Sequence, residues 1–467
     1  MGKNILIFSD GTGQAGGFMP DEARSNVYKL YRATRCGPDT IIDPMLQLTF
    51  YDPGLGSKGS GRNIKIGWWR SIYNFLSKAT GLGITRNIID CYAAIIRMWE
   101  PGDRIYLFGF SRGAYTVRCV GGVLGLCGVP TRMKDGSPLK RDPASAHMIA
   151  SEAVKQVYQF GSSVAGDPYK PQRLQKAREF RKTYGSAQGE KANAVPYFIG
   201  VWDTVSALGA GWIWLSILTA AGFALTSTIV KLGSPYLPYS PVQPGWLESF
   251  LTTLALAGLI YFVVSLRFKQ PMNLSKYRMA FYDTKLNPDV PYARHALSID
   301  ENRKDFGRVP WQEETYVKTA EGGPERFMQV WFAGNHSDIG GSYPENESRL
   351  SDIGLKWMSD EARNLPHPIF VDETYLKLSI SSAGPQHDER KATIASMPGW
   401  FRWLARRVVS EKHLGWIEKV RDVPRDAPLH PSVLERFDQT SVLAYDETVP
   451  YRPEALRNHI KLKRYYV

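Results

Sequence analysis

The sequence predicts an α/β protein, a mainly parallel sheet with helices on both faces. Three observations carry this. Short apolar runs alternate with helical segments, each run stops at a glycine-rich or polar turn, and one turn, Gly109-Phe110-Ser111-Arg112-Gly113, joins a strand directly to a helix. Strands buried on both faces read as continuous apolar runs, and ligand sites of such sheets lie at the strands' carboxyl ends.

Asn4 to Phe8 is the first strand, stopped by Ser9-Asp10-Gly11-Thr12-Gly13. Ser25 then suits the N-cap of a helix from Asn26 to Thr34. A second strand is expected at Leu46 to Tyr51, ending at Asp52-Pro53-Gly54-Leu55-Gly56. The spacing of Ile84, Ile88, Cys91, Ile95 and Met98 predicts a helix with one apolar face, closed by Pro101-Gly102-Asp103. Arg104 to Phe110 is a third buried strand, and the pattern turns helical from Gly113 through Leu126. Further buried strands are expected at Pro196 to Trp202 and at Gln329 to Ala333.

The alternation breaks after Asp203. Neither Thr204 to Val230 nor Ser249 to Leu266 holds a charged residue. Each is close to the roughly 20 residues that cross a bilayer core, so an inserted membrane hairpin of two helices is expected. Arg267, Lys269, Lys276 and Arg278 follow the second span, against Lys231 and Glu248 in the connector, which predicts a two-span membrane protein with a cytoplasmic catalytic body. The expected division is residues 1–203 and 271–360 as the two parts of one α/β domain, 204–270 as the hairpin, and 361–467 as an extension packed on the body. Within that extension, Pro398 to Arg407 mixes aromatics with arginines, as interfacial helices do.

Lys plus Arg number 58 against 45 Asp plus Glu, and the net charge of +13 favours an anionic membrane surface as partner; no nucleic-acid partner is expected. Cys36, Cys91, Cys119 and Cys127 form no CxxC pair, so neither a zinc knuckle nor a disulfide scaffold is implied. No metal and no cofactor are expected. The apolar run ending at Phe8 is too brief for a signal-peptide core.

A serine hydroxyl needs a histidine to take its proton, a carboxylate to orient that histidine, and donors for the oxyanion. Ser111 stands on a strand-turn-helix, with Gly109 and Gly113 where a sharp turn leaves no room for side chains. The Arg112 amide, at the helix start, is a candidate oxyanion donor, and Gly11 and Thr12 are candidates for a second. Asp203 follows one buried strand and His336 another, so Ser111, Asp203 and His336 share one sheet edge in the chain order Ser, Asp, His that α/β hydrolases use. Asp338 is the rival orienting acid, and Asp10 is expected to hold its own turn.

Six ordered motifs resemble the catalytic domain of type VI secretion phospholipase effectors. They are Phe8-Ser9-Asp10-Gly11-Thr12, Tyr51-Asp52-Pro53-Gly54-Leu55-Gly56, Gly109 to Tyr115, Gly200-Val201-Trp202-Asp203-Thr204-Val205, Ala293-Arg294-His295-Ala296-Leu297 and Trp331 to Gly341. The resemblance runs from about Lys3 to Met358. It implies an α/β-hydrolase-like fold, a lipid or other ester as substrate, and Ser111, Asp203 and His336 as triad. Two alternatives stay open at this point: a non-catalytic membrane-anchored scaffold or transport protein on a hydrolase fold, and metal-assisted hydrolysis by Asp10, Asp203, His336 and Asp338.

Overall fold

A computed structural model describes residues 2–11, 24–53, 84–161, 167–205, 286–309, 311, 323–396, 399, 403 and 418–466. The chain divides into two compact units. Met1–Lys78, Leu82–Ser206 and Phe281–Val467 form one, which holds every described residue, and Ala79–Gly81 with Ala207–Ala280 form the other.

Six strands make the main sheet: β1 (Asn4–Ser9), β2 (Gln47–Asp52), β3 (Arg104–Phe110), β4 (Pro196–Trp202), β5 (Tyr292–Ser298) and β6 (Phe327–Phe332). Their spatial order is β2-β1-β3-β4-β5-β6, and every neighbouring pair is parallel. The chain steps from β1 to β2 at one edge, returns past β1 to β3, and then proceeds outward to β6. The switch of direction therefore falls between β1 and β3, and at such a switch the ligand sites of open parallel sheets lie outside the strands' carboxyl ends. The turns after these two strands meet there, since a Cβ placed on Gly11 would lie 3.5 Å from Ser111 Cβ.

Side chains alternate across the sheet. Leu6, Phe8, Tyr106, Phe108 and Phe198 share one apolar core with Val27 and Leu30 of α1 (Asn26–Thr34) and with Leu355 and Met358, which lie further along the chain. The opposite face carries α3 (Arg112–Cys127), flanked by α2 (Ile84–Met98). Gly121 of α3 is close enough to the sheet that an added Cβ would come 3.2 Å from Ile199 Cδ1 and 3.9 Å from Leu107 Cδ1.

Strand β5 does not announce itself by hydropathy, because Arg294 and His295 interrupt its apolar run although both are buried. Each has a partner that covers its polarity: the Arg294 guanidinium pairs with Glu361, and the His295 ring contacts Gln329 at 3.3 Å and accepts from the Thr204 amide at 3.3 Å.

The C-terminal segment covers the far edge of the sheet at Trp331. The Trp331 amide donates to the Pro428 carbonyl and the His430 amide to the Trp331 carbonyl, both at 2.9 Å, so β6 presents no bare edge there. Ala427, Val433, Phe437, Val442, Tyr451, Leu456 and Leu462 pack with Leu297, Ile299, Trp331 and Ala333 in a second core.

The two-span membrane placement, with a cytoplasmic body, is corrected. Among the described residues, no helix is long and apolar enough to cross a membrane. Beyond Val205, the two uncharged stretches lie outside the described residues. At the start of the first stretch, Val205 forms an antiparallel bridge to Arg308 and the Thr204 carbonyl accepts from the Val309 amide at 3.0 Å. The backbone bonds of Thr204 and Val205 are thus made sideways to the body, whereas a spanning helix makes them along its own axis. Lack of charge registers hydropathy and does not by itself specify a helix of spanning length. Of the aromatic and arginine stretch from Pro398 to Arg407, only Gly399 and Trp403 are described.

Candidate active site

The turn after β3 is forced by close packing. A Cβ on Gly109 would lie 2.5 Å from the Gly113 carbonyl oxygen, and one on Gly113 would lie 2.0 Å from the Ser9 carbonyl oxygen at the end of β1. Backbone atoms cannot yield to that extent, so both positions require glycine. Between them Ser111 adopts φ 58° and ψ −121°, a conformation that costs a non-glycine residue about 1–3 kcal/mol. Ser111 stands at the N-cap position of α3 but makes no side-chain cap bond, and its amide donates to the Trp202 carbonyl at 3.1 Å. The helix ladder begins with the Tyr115 amide on the Ser111 carbonyl at 3.3 Å, so the Arg112 amide stands in the first turn, ahead of the ladder.

Asp203 follows β4 directly, at φ 36°, with its amide donating to the Ala296 carbonyl of β5 at 2.8 Å. Its carboxylate is fully buried and accepts four hydrogen bonds. His336 Nδ1 donates to Oδ2 at 2.6 Å, the Ser298 amide to Oδ1 at 3.2 Å, and Arg421 to both oxygens at 3.0 Å each. Burial on its own would raise the Asp203 pKa. The Arg421 guanidinium and the His336 bond outweigh burial and hold the carboxyl well below the usual carboxylate range.

His336 opens the short helix α4 (His336–Gly340), which Asn335 caps by accepting from the Ser337 and Asp338 amides at 2.9 Å. Its ring is buried against Phe110 (centroids 4.6 Å apart) and Phe306 (5.2 Å). Since an ionised Asp203 can only accept, Nδ1 is the donor in this bond, and in the neutral ring Nε2 is then the acceptor nitrogen. Among the described residues that buried Nε2 has no hydrogen-bond partner. An unbonded buried nitrogen costs about 1–3 kcal/mol, and the chemistry open to it is to take a proton. Among the described residues no hydrogen bond joins the Ser111 hydroxyl to Nε2, and Ser111 is tied to the other two through its neighbours: Phe110, next to Ser111, packs on His336; Trp202, next to Asp203, holds the Ser111 amide; and Asp203 holds His336.

Asp338 is committed elsewhere. It bonds His387 Nδ1 at 2.7 Å, the His387 amide at 3.1 Å and the Asn335 amide at 3.0 Å, while His387 Nε2 reaches Glu347 at 3.1 Å. Asp10 holds its turn through the Ser25 hydroxyl at 2.5 Å, the Tyr51 hydroxyl at 2.6 Å and the Gly11 amide at 2.7 Å. Burial pushes Asp10 up to about 6, against these three bonds. The Gly11 amide is therefore already bonded, and Thr12 lies outside the described residues. Of the four residues weighed as metal ligands, only Asp203 and His336 meet, and among the described residues no group of three or more His, Cys, Asp or Glu could hold a metal ion.

Sequence reasoning missed Arg421 and Phe306. Neither belongs to a motif, and Arg421 sits in a proline-rich stretch with no periodicity to mark it, so no local signal could have found them.

Known proteins bear on this arrangement as follows. The profile of the family described as "T6SS, Phospholipase effector Tle1-like, catalytic domain" matches residues 3–361. A Saccharomyces cerevisiae protein, "Uncharacterized protein YEL023C", is 29% identical over 215 residues, a match covering 44% of this chain and 27% of that protein. The chain thus matches about a quarter of the length of that curated relative. A crystal structure of an uncharacterized protein from Pseudomonas aeruginosa aligns over 88% of this chain and 51% of that one, at 16% identity and a TM-score of 0.34.

Proposed function

The chain belongs to the Tle1-like catalytic family of type VI secretion phospholipase effectors, and from that premise we propose that it is a serine esterase of phospholipase type on an α/β-hydrolase-like fold. Ser111 is the nucleophile, His336 the general base and Asp203 the orienting acid. Residues 1–203 and 271–360 form the hydrolase domain on this reading, with 361–467 packed on it. The observation that carries it is the buried Asp203–His336 pair, whose Nε2 lone pair is unbonded and whose ring packs on the residue preceding Ser111.

In the reaction, Ser111 Oγ attacks the ester carbonyl carbon while His336 Nε2 accepts the hydroxyl proton. Asp203 stays ionised throughout and stabilises the imidazolium. The Arg112 amide, in the first turn of α3, donates to the oxyanion. When the tetrahedral intermediate collapses, the carbon–oxygen bond to the alcohol breaks and His336 returns the proton to the leaving oxygen. A water then attacks the acyl-serine by the same route in reverse, releasing the carboxylic acid. The family makes a phospholipid ester the substrate class expected.

Replacing Ser111 by Ala and assaying the purified chain on phospholipid vesicles and on short acyl esters tests this. Hydrolysis is expected to fall by about 10⁴-fold or more, with loss of labelling by a fluorophosphonate. Hydrolysis at the parental rate in the Ser111→Ala protein overturns the nucleophile assignment.

A further inference from the structure

Arg421 lies beyond the residues that the family profile matches, yet it makes half of the hydrogen bonds to Asp203. Its side chain is only 7% exposed, and Nη2 donates a further bond to the Phe306 carbonyl at 3.0 Å. The backbone on either side of it is tied to the body. The Lys419 amide donates to the Asn302 carbonyl at 2.8 Å, Glu418 bridges Arg303, and Leu429 bridges Trp331. The segment therefore runs along the loop after β5 and on to β6, and delivers one guanidinium to the buried carboxylate.

We propose that Arg421 is a positioning residue of the site: its two parallel donors keep Asp203 ionised and aligned as the acceptor for His336, so the C-terminal segment completes the catalytic centre. The inference rests on the serine-esterase reading above. A fully buried carboxylate facing one imidazole N–H and one backbone amide would be driven toward its neutral form, in which it no longer serves as a charge to stabilise an imidazolium. A planar guanidinium matches both carboxylate oxygens at once and removes the freedom to swing about χ2. The bond to the Phe306 carbonyl extends the same clamp to a ring that packs on His336.

Among the described residues, the charged and titratable groups around the pair are these. On β5, His295 is held neutral by burial, down to about 3, with Arg118 and Arg308 acting in the same sense and Asp203 against them. Glu301 accepts from the His336 amide at 3.3 Å and is itself paired with Arg303 at 2.8 Å. Among the described residues the Arg421 guanidinium is the fixed cation in direct contact with Asp203, so its removal raises the proton affinity of the Asp203–His336 pair as a unit.

The test uses the full chain with Arg421→Met and Arg421→Lys, following kcat and KM for a soluble short acyl ester across pH. In the Met variant the acid limb of kcat/KM is expected to move up by on the order of one pH unit, and kcat on the plateau to fall about tenfold with KM little changed. The Lys variant keeps the charge but loses the fork, so its limb stays with the parent while its plateau falls. An unmoved limb in the Met variant, or a plateau at or above the parent's in either variant, overturns the proposal. Thermal melts on the same preparations report folding, and if the Met protein does not fold, the Lys protein decides. Parental hydrolysis that survives Ser111→Ala defeats the esterase reading itself, whereas Ser111-dependent hydrolysis that is indifferent to Arg421 defeats only this inference.

Discussion

Replacing Asp203 by Asn changes one atom, and the bonding around that atom sets the size of the effect. The carboxylate receives two donors on each oxygen: His336 Nδ1 and Arg421 Nη2 on Oδ2, and the Ser298 amide and Arg421 Nη1 on Oδ1. A carboxamide offers one acceptor oxygen and one donor NH2 group. With its oxygen toward His336, the NH2 meets the Ser298 amide and Nη1, donor against donor. With the NH2 toward His336, Nδ1 must become the acceptor, the proton moves to Nε2, and the base is lost. The second arrangement predicts a fall in kcat of about 10⁴-fold, the loss expected for the wrong tautomer in a triad. Either arrangement leaves the buried Arg421 charge without its anion, which costs about 3–5 kcal/mol and lowers Tm by several degrees. The assay is steady-state ester hydrolysis beside a calorimetric melt, with single-turnover acylation by a fluorophosphonate. An Asp203→Asn protein within about tenfold of the parent in kcat would refute the role given to this carboxylate, since that is no more than a misaligned but intact triad would lose.

Three further outcomes are expected. Gly113→Ala places a Cβ 2.0 Å from the Ser9 carbonyl oxygen and 2.4 Å from its carbon, so β1 and α3 must part; loss of soluble protein, or a Tm drop larger than that of Gly307→Ala, whose φ of −55° suits any residue and whose added Cβ would meet the Lys304 carbonyl oxygen only at 3.8 Å, is expected in parallel expression and melting. Burial pushes Asp52 up to about 8 from an ordinary 3.8. The folded protein then holds that proton more tightly than the unfolded chain, and stability falls as pH rises across that window. Asp52→Asn, which imitates the neutral acid, should flatten this fall in urea titrations run between pH 5 and about 9. His387 is raised above its ordinary 6.5, with Asp338 and Glu347 prevailing over burial. Its stabilisation is fully present below 6.5 and is lost as pH rises through the raised folded value, so Tm of the parent should decline across that range more steeply than Tm of His387→Gln.

Much of the fold was legible because buried parallel strands need continuous apolar runs, and Ile5 to Phe8, Ile105 to Phe108 and Phe198 to Trp202 supply them. The helix Asn26–Thr34 was legible from its cap, and the Ser25 hydroxyl does accept from the Tyr28 amide at 3.1 Å. Strand β5 was hidden by hydropathy because its two central polar residues are neutralised by partners far along the chain, Glu361 and Gln329. The two-span membrane placement is the inference that the structure corrects. It rested on the length of two uncharged stretches and the basic residues after the second, all of which register hydropathy, whereas backbone pairing at Thr204 and Val205 ties the start of the first stretch to the body.

By itself the sequence determined that Ser111 follows a buried strand between two obligatory glycines, and that Asp203 and His336 each come after another, because local sterics and strand patterning are written in neighbouring residues. Which carboxylate meets His336 was decided by tertiary structure. β4 and β6 lie two strands apart with β5 between, and their carboxyl ends set Asp203 2.6 Å from Nδ1, while Asp338, two residues away in sequence, is turned by its capping bonds toward His387. Tertiary structure also supplied Arg421. A guanidinium 218 residues from its carboxylate leaves no mark in local pattern, because only the fold places them 3.0 Å apart.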